Sequence, residues 1–373
     1  MASASDTTVI AGTGVAGLEA ALALREALGP RAPITLLGPE DAFHHRALGV
    51  GEAFGLGRPR RHPIAPLAAD LGLQRLPDAL LSVDAGAHRL RLASGSALDY
   101  ARLVVAVGAP LRPAGADGIL FDRARNAAQF DAVVADLEAG AVAGVEFSIG
   151  EGVSWPLPAY ELALMTAAWG AAARPGGVAV SVRSTEPAPL DLFGPAASAA
   201  VSRALGQAGV SFGPGPAPAD RVIVLPELDG PHVDGLPADA AGFVAVDPWG
   251  RVPGADDVYA IGDAAAHPIK QGGLAAQQAA EAARAIAFDA GLRTHCPPPR
   301  PVLRGLLRTV DGPLYLRAVL GDATASSTAA HEPLWWPPSK LAAPRLTSYL
   351  SRVERSRLEG RVLPSGGVVQ DAP

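Results

Sequence analysis

The sequence predicts an α/β protein of two doubly wound units, the second inserted into the first, followed by a separate C-terminal segment. Three observations predict it. A buried strand at residues 7–12 runs into a glycine-rich turn and an Ala/Leu-rich helix; the same plan recurs from about residue 142; and an apolar strand near residue 258 returns to the first unit.

Composition agrees with this plan. Apolar residues at 49% and charged residues at 18% supply sizeable cores and exclude a disordered chain. Gly 42 and Pro 35 are scattered without a three-residue period, so the chain is turn-rich rather than fibrous. A net charge of −6, with the 31 basic residues dispersed, announces no nucleic-acid surface. Cys296 is the sole cysteine, so an intrachain disulfide, a CxxC pair and a cysteine zinc site are all excluded. The histidines show no HxxH or HExxH spacing, so no metal is expected. The N-terminal residues lack a signal-peptide pattern, and no uninterrupted apolar run reaches 18 residues. The expected location is therefore cytoplasmic, with peripheral contact at the inner face of a membrane as a further option.

Element by element, 7–12 reads as a strand, 18–28 as a helix stopped by Gly29-Pro30, and 34–37 as the strand closing a β-α-β unit. Residues 43–66, with His44, His45, Arg46 and His62, read as a loop-rich insertion near a ligand. Residues 80–83 and 88–92 read as paired strands, and 103–107 as another buried one. In the second unit, strands are expected at 144–149, 178–182 and 222–225, with helices at 159–173 and 196–207. Residues 243–246 are expected as a returning strand, and a long helix follows Gly273. The expected domains are 1–114 with 244–295, then 115–243, then the segment 296–373.

The strongest motif is Gly12-Thr13-Gly14-Val15-Ala16-Gly17, a G-x-G-x-x-G between a strand and a helix. Its first glycine allows a tight turn, its second a close backbone approach to a pyrophosphate, and its third close helix–strand packing; the helix N-terminus favours the anion. This makes the first unit a Rossmann-like dinucleotide site. The acid expected for the ribose is displaced: Gly38-Pro39 stands there, and Glu40 follows. Glu40 is either the ribose contact or a solvated loop charge.

The second motif is Val258-Tyr259-Ala260-Ile261-Gly262-Asp263-Ala264. With it, the chain resembles the two-dinucleotide-binding-domain flavoproteins, in which a strand ending in Gly-Asp places the carboxylate on the ribityl chain of FAD. Arg102 to Gly108 resembles that family's A-T-G strand, with Val107 before Gly108. Leu80 falls where backbone groups hold the adenine, and Arg46 joins the cofactor-binding candidates. The resemblance is nearest to the sulfide:quinone oxidoreductases and the flavocytochrome c sulfide dehydrogenase flavoproteins, with type II NADH dehydrogenases further off. It rests on Gly152-Val153-Ser154-Trp155-Pro156-Leu157-Pro158-Ala159-Tyr160-Glu161 and on Pro268-Ile269-Lys270-Gln271-Gly272-Gly273.

The resemblance implies FAD, with Lys270, Gln271 and Gly272 at the flavin pyrimidine edge. It also implies a proton-route carboxylate at Glu161, and quinone or membrane contact through the C-terminal segment. Each has a plainer alternative: a solvated lysine, a helix-start glutamate favoured by the dipole, and a dimer contact or a cover over the flavin. The departures are as informative. Trp155 stands where sulfide oxidisers carry a reactive cysteine, and Leu306-Leu307-Arg308 where they carry another, so two-thiol sulfide chemistry is rejected. Gly150-x-Gly152-x-x-Trp155 is a second dinucleotide fingerprint with its last glycine replaced by the largest side chain, which argues against NAD(P)H there. Arg183 and Glu186 are the ribose candidates of that unit. Trp155 and Tyr160 are candidates for the substrate pocket, with core packing as the alternative for Trp155.

The expected function is a FAD-dependent oxidoreductase. Two electrons pass from a small-molecule donor through the flavin to a quinone or another diffusible acceptor. A type II NAD(P)H dehydrogenase and a non-catalytic flavin sensor are the alternatives.

Overall fold

Thr8–Ala11 (β1) and Ile34–Leu37 (β2) are buried at every position, as strands in the middle of a parallel sheet are. They belong to a computed structural model that describes residues 6–57, 59–112, 118–122, 127–173, 176–321 and 326–359, without the side chains of 46–48 and 356–359. Between β1 and β2 lies α1 (Val15–Leu28), rich in Ala and Leu. Its end is tied down by Arg25, whose guanidinium donates to the carbonyls of Gly29, Ala32, Leu71 and Gly72.

The chain continues through β3 (Ala42–His44), β4 (Arg61–Pro63), α2 (Ile64–Asp70), β5 (Gln74–Leu76), β6 (Leu80–Asp84), β7 (Arg89–Leu92), β8 (Ala97–Asp99) and β9 (Arg102–Val105). Residues 43–66 are therefore more ordered than a loop-rich reading implies. β3 pairs with β4 around a 3-10 stretch at Arg46–Phe54, anchored by buried Phe43, Phe54 and Ile64. Elements this short lack a periodic signal of their own and depend on tertiary burial.

The second unit contains β10 (Ile119–Leu120), α3 (Ala127–Glu138), β11 (Gly144–Ser148), α4 (Leu157–Ala173), β12 (Ala179–Arg183), α5 (Pro195–Gln207), β13 (Val210–Gly213) and β14 (Arg221–Val224). β15 (Val258–Ala260) and α6 (Gly272–Asp289) rejoin the first unit. The two parallel sheets run β15-β9-β1-β2-β5 and β10-β14-β11-β12-β13, the same plan strand for strand. The expected strand at 243–246 does not form; Val244 makes only isolated bridges to Ala238 and Ala265. The first crossing, between residues 114 and 115, lies outside the described residues.

The C-terminal segment holds a sheet that periodicity did not announce: β16 (Val302–Thr309), β17 (Gly312–Val319) and β18 (Ser327–Ala330), antiparallel. Leu303, Gly305 and Leu307 face the second unit's core, and a Cβ at Gly305 would lie 2.5 Å from Leu157. The last helix, α7 (Pro344–Glu359), sits on the first unit. Glu19 of α1 accepts from the Leu346 amide, Arg345 pairs with Glu26, and the Tyr349 hydroxyl donates to Asp70. These contacts seat α7 against α1 and α2. Trp336 remains 84% exposed. Among the described residues no helix is long and apolar enough to cross a membrane.

Candidate cofactor and active site

A cleft of about 750 Å³ opens beyond the carboxyl end of the first sheet and reaches α4, β16 and Lys340. That is within the usual size of a cofactor or ligand site. The three glycines of the first turn have separate tasks. Gly12 sits at φ +131°, and a Cβ there would lie 2.0 Å from the Ala106 carbonyl oxygen. A Cβ at Gly17 would lie 2.0 Å from the Gly12 oxygen, so this glycine packs helix on strand and does not line the cleft. A Cβ at Gly14 meets nothing within 4 Å. The backbone there faces open cleft at the N-terminus of α1, beside Thr13, Val15 and Ala16, as a pyrophosphate requires.

Gly38, which stands where the acid was expected, is closely packed. A Cβ at Gly38 would lie 2.5 Å from Thr13 Cγ2, so position 38 admits no side chain. Glu40 lines the cleft instead and accepts a 2.7 Å hydrogen bond from Thr13 Oγ1. Leu80, with Asp78 and Ala79, lines one part of the cleft, and Val107, Gly108, Gly262 and Asp263 line another. Gly108 and Gly262 take φ of +77° and +69°. Arg46 begins the 3-10 stretch directly after His45, which lines the cleft, and its side chain lies outside the described residues. His45 lines the same cleft with its Nε2 buried and without a partner, and burial with His62 nearby holds its pKa down at about 4.

Beyond Gly262, Gln271 starts α6. Its Oε1 accepts from the Leu274 amide and its Nε2 donates to the Arg304 carbonyl, at 2.8 and 3.3 Å. Lys270 is 7% exposed, donates to the Ala265 carbonyl and stands 3.6 Å from the centroid of Phe243. Burial lowers its pKa to about 8 against the opposing pull of Asp263 and Asp239. A Cβ at Gly272 would meet Leu341 at 2.6 Å, so the C-terminal segment closes directly over this helix start. Glu161 on α4 is fully buried and pairs with both Lys340 and Arg308. A surface charge favoured only by the helix dipole does not describe it.

Tyr160 requires a correction. It lies one residue from Glu161, roughly 100° around the helix, and points away from the cleft. It is fully buried and donates to Glu186. Glu186 is thereby spent inside the second unit, and Arg183 pairs with buried Glu146. Neither is free to select a ribose, so both candidates fall.

The second glycine turn is filled. A Cβ at Gly152 would lie 2.4 Å, and one at Gly150 2.8 Å, from carboxylate oxygens of Glu227. Arg112 anchors this carboxylate at 2.8 Å and also pairs with Asp229 at 2.7 Å. Trp155 lines the cleft and stacks obliquely on Phe193, with centroids 5.9 Å apart. Sequence reasoning found Trp155 but missed Glu227, Arg112, Arg304 and Lys340. Glu227 stands in a Pro-Glu-Leu-Asp-Gly run with no spacing that links it to Gly152. Cys296 does not line the cleft, and burial raises its thiol pKa. No group of residues able to hold a metal occurs among the described residues.

The fold and the open turn define a flavoprotein of the two-dinucleotide-fold class, and the cleft's residues fit FAD: a glycine turn clear for a pyrophosphate, Glu40 on the cleft wall beside it, and Asp263 further along. A sequence profile of the pyridine nucleotide-disulphide oxidoreductase family matches residues 6–222, more than half of the chain. The protein belongs to that family and is an FAD-dependent oxidoreductase. Rhodocoxin reductase of Rhodococcus erythropolis is 28% identical over 329 residues, 77% of this chain and 73% of the relative. The sulfide:quinone oxidoreductase of Aquifex aeolicus superposes with a TM-score of 0.78 at 20% identity, covering 96% of this chain and 93% of that one. Putidaredoxin reductase, in its covalent complex with putidaredoxin, gives 0.61 at 22%, covering 85% and 82%.

Proposed function

We propose that the protein oxidises a small molecule other than NAD(P)H and passes two electrons through FAD to a quinone or another diffusible acceptor, without thiol chemistry. The observation that carries this reading is the filled second turn, where the Glu227 carboxylate lies against Gly150 and Gly152 and Trp155 stands at the position of the third, helix-packing glycine. A carboxylate there repels a phosphate as well as excluding it. Bound FAD supplies the two-electron chemistry. The chain would supply the rest. Gly12–Gly17 and Glu40 hold the dinucleotide half, and Leu80, Val107, Gly108, Gly262 and Asp263 hold its remainder. Lys270 and the α6 start with Gln271 and Gly272 favour negative charge at the ring edge. Trp155 walls the substrate side. Glu161, fixed between Lys340 and Arg308, keeps an internal charge balanced beside that space.

The domain division at residues 114, 243 and 295 is part of this reading, as is a site reached from water or from a membrane surface past the C-terminal segment. A second reading has one observation of its own: two similar proteins are reductases named for small redox proteins, so a protein acceptor is the alternative to quinone. Anaerobic bleaching of the bound flavin decides the donor side. NADH and NADPH should reduce it slowly, and one of a panel of small organic donors rapidly. Rapid reduction by NADH would restore the NAD(P)H-dehydrogenase alternative, and reduction by no donor would favour a sensor.

A further inference from the structure

Arg304 and Arg317 stand directly opposite each other on β16 and β17, side chains on one face of the sheet. Like charges so placed destabilise a strand pair. Among the described residues, no ion pair or hydrogen bond engages either guanidinium, and Arg304 Nε is buried without a partner. Glu161, which lines the same cleft, is already taken by Lys340 and Arg308. Arg304 and Leu306, successive residues on this face, both line the cleft, as do Trp155 and Pro158. A half-buried cation held without a counter-charge is costly unless a ligand supplies one. The same cleft is also lined by the apolar surfaces of Leu306, Pro158 and the Trp155 ring.

We propose that Arg304, backed by Arg317, is the anion-recognising part of the donor site, and that the donor is a small organic carboxylate whose apolar body lies between Trp155 and Leu306. The inference rests on the flavin site proposed above. A planar guanidinium matches a carboxylate in two parallel hydrogen bonds, whereas a neutral amide of the same shape leaves the charge uncompensated. Inorganic phosphate would satisfy the charge but not the apolar wall.

Benzoate, benzamide and inorganic phosphate serve as probes, titrated into the FAD-loaded protein and followed by calorimetry and by perturbation of the flavin absorbance. Benzoate should bind at least tenfold more tightly than benzamide, and phosphate should not displace it. Arg304→Gln removes a like-charge repulsion and should leave folding and FAD content intact, while benzoate weakens to the level of benzamide. Equal binding of benzoate and benzamide to the parent would overturn the proposal. So would displacement by phosphate, or an Arg304→Gln variant that retains the preference. Loss of FAD from Arg304→Gln would reassign the residue to the cofactor and overturn it too. Parent protein that holds no FAD would instead bring down the flavin reading beneath it.

Discussion

The two glycine turns of this chain start from nearly the same sequence pattern and end in opposite states. In the first, a side chain at Gly14 would meet nothing within 4 Å, and the helix N-terminus opens onto a cleft. In the second, the Glu227 carboxylate lies against Gly150 and Gly152, held there by Arg112, and Trp155 replaces the last glycine. A Rossmann-like unit can thus keep its full strand order while its turn is closed by one acid from a neighbouring loop. The fold is retained by packing, and binding depends on what the turn leaves empty.

The comparison breaks most sharply within the first turn. Gly17→Val drives a side chain into the Gly12 carbonyl and should cost more than ~3 kcal/mol, seen as loss of cooperative thermal unfolding. Gly14→Val should leave the flavin-free protein's melting temperature within about 2 °C of the parent's and abolish FAD retention. If Gly14→Val keeps full FAD, the turn is not the cofactor site. Asp263→Ala comes next, weakening FAD by about 1.5–3 kcal/mol through loss of a charge-assisted hydrogen bond; equilibrium dialysis would show unchanged affinity if the assignment is wrong.

In the second turn, Trp155→Gly with Glu227→Ala should open the site, raising the rate of flavin reduction by NADH at least tenfold over the parent in anaerobic stopped flow. No gain would mean that something else excludes the nucleotide.

A smaller effect concerns His45 in the first cleft. Its folded pKa of about 4 lies below the ordinary 6.5, so the unfolded chain binds the extra proton between these values. Its contribution is complete above pH 6.5 and lost as pH falls toward 4. His45→Gln should flatten the acid side of the stability profile measured by urea unfolding. The smallest effect is Cys296→Ser. This thiol is away from the cleft with its pKa raised, so flavin reduction by the true donor should not change.

What the sequence made legible follows the same division. β1, β2 and the first turn were readable because buried parallel strands are continuous apolar runs and because glycine marks backbone constraint directly. Trp155 was readable as a departure from a pattern. Glu227 was not, since its effect depends on a contact across 75 residues that no local spacing records. Tyr160 was misplaced because neighbouring helix positions face different ways, and the direction is settled only when the helix docks. The sheet formed by β16–β18 was hidden by Arg304 and Arg308, which broke the apolar signal of β16: the first lines the cleft and the second pairs with Glu161. Glu40 was half legible: the sequence left it as a ribose contact or a loop charge, and the structure puts it on the cleft wall, hydrogen-bonded to Thr13, beside the closely packed Gly38.

The central claim is that one turn holds a dinucleotide and the other does not. Counting bound dinucleotides per chain tests it most directly, by denaturing the protein after equilibration with excess FAD and NADH, removing free nucleotide by rapid gel filtration, and quantifying what is released. The account predicts one FAD and no NADH for each chain. One FAD together with one NADH, or neither, would contradict it.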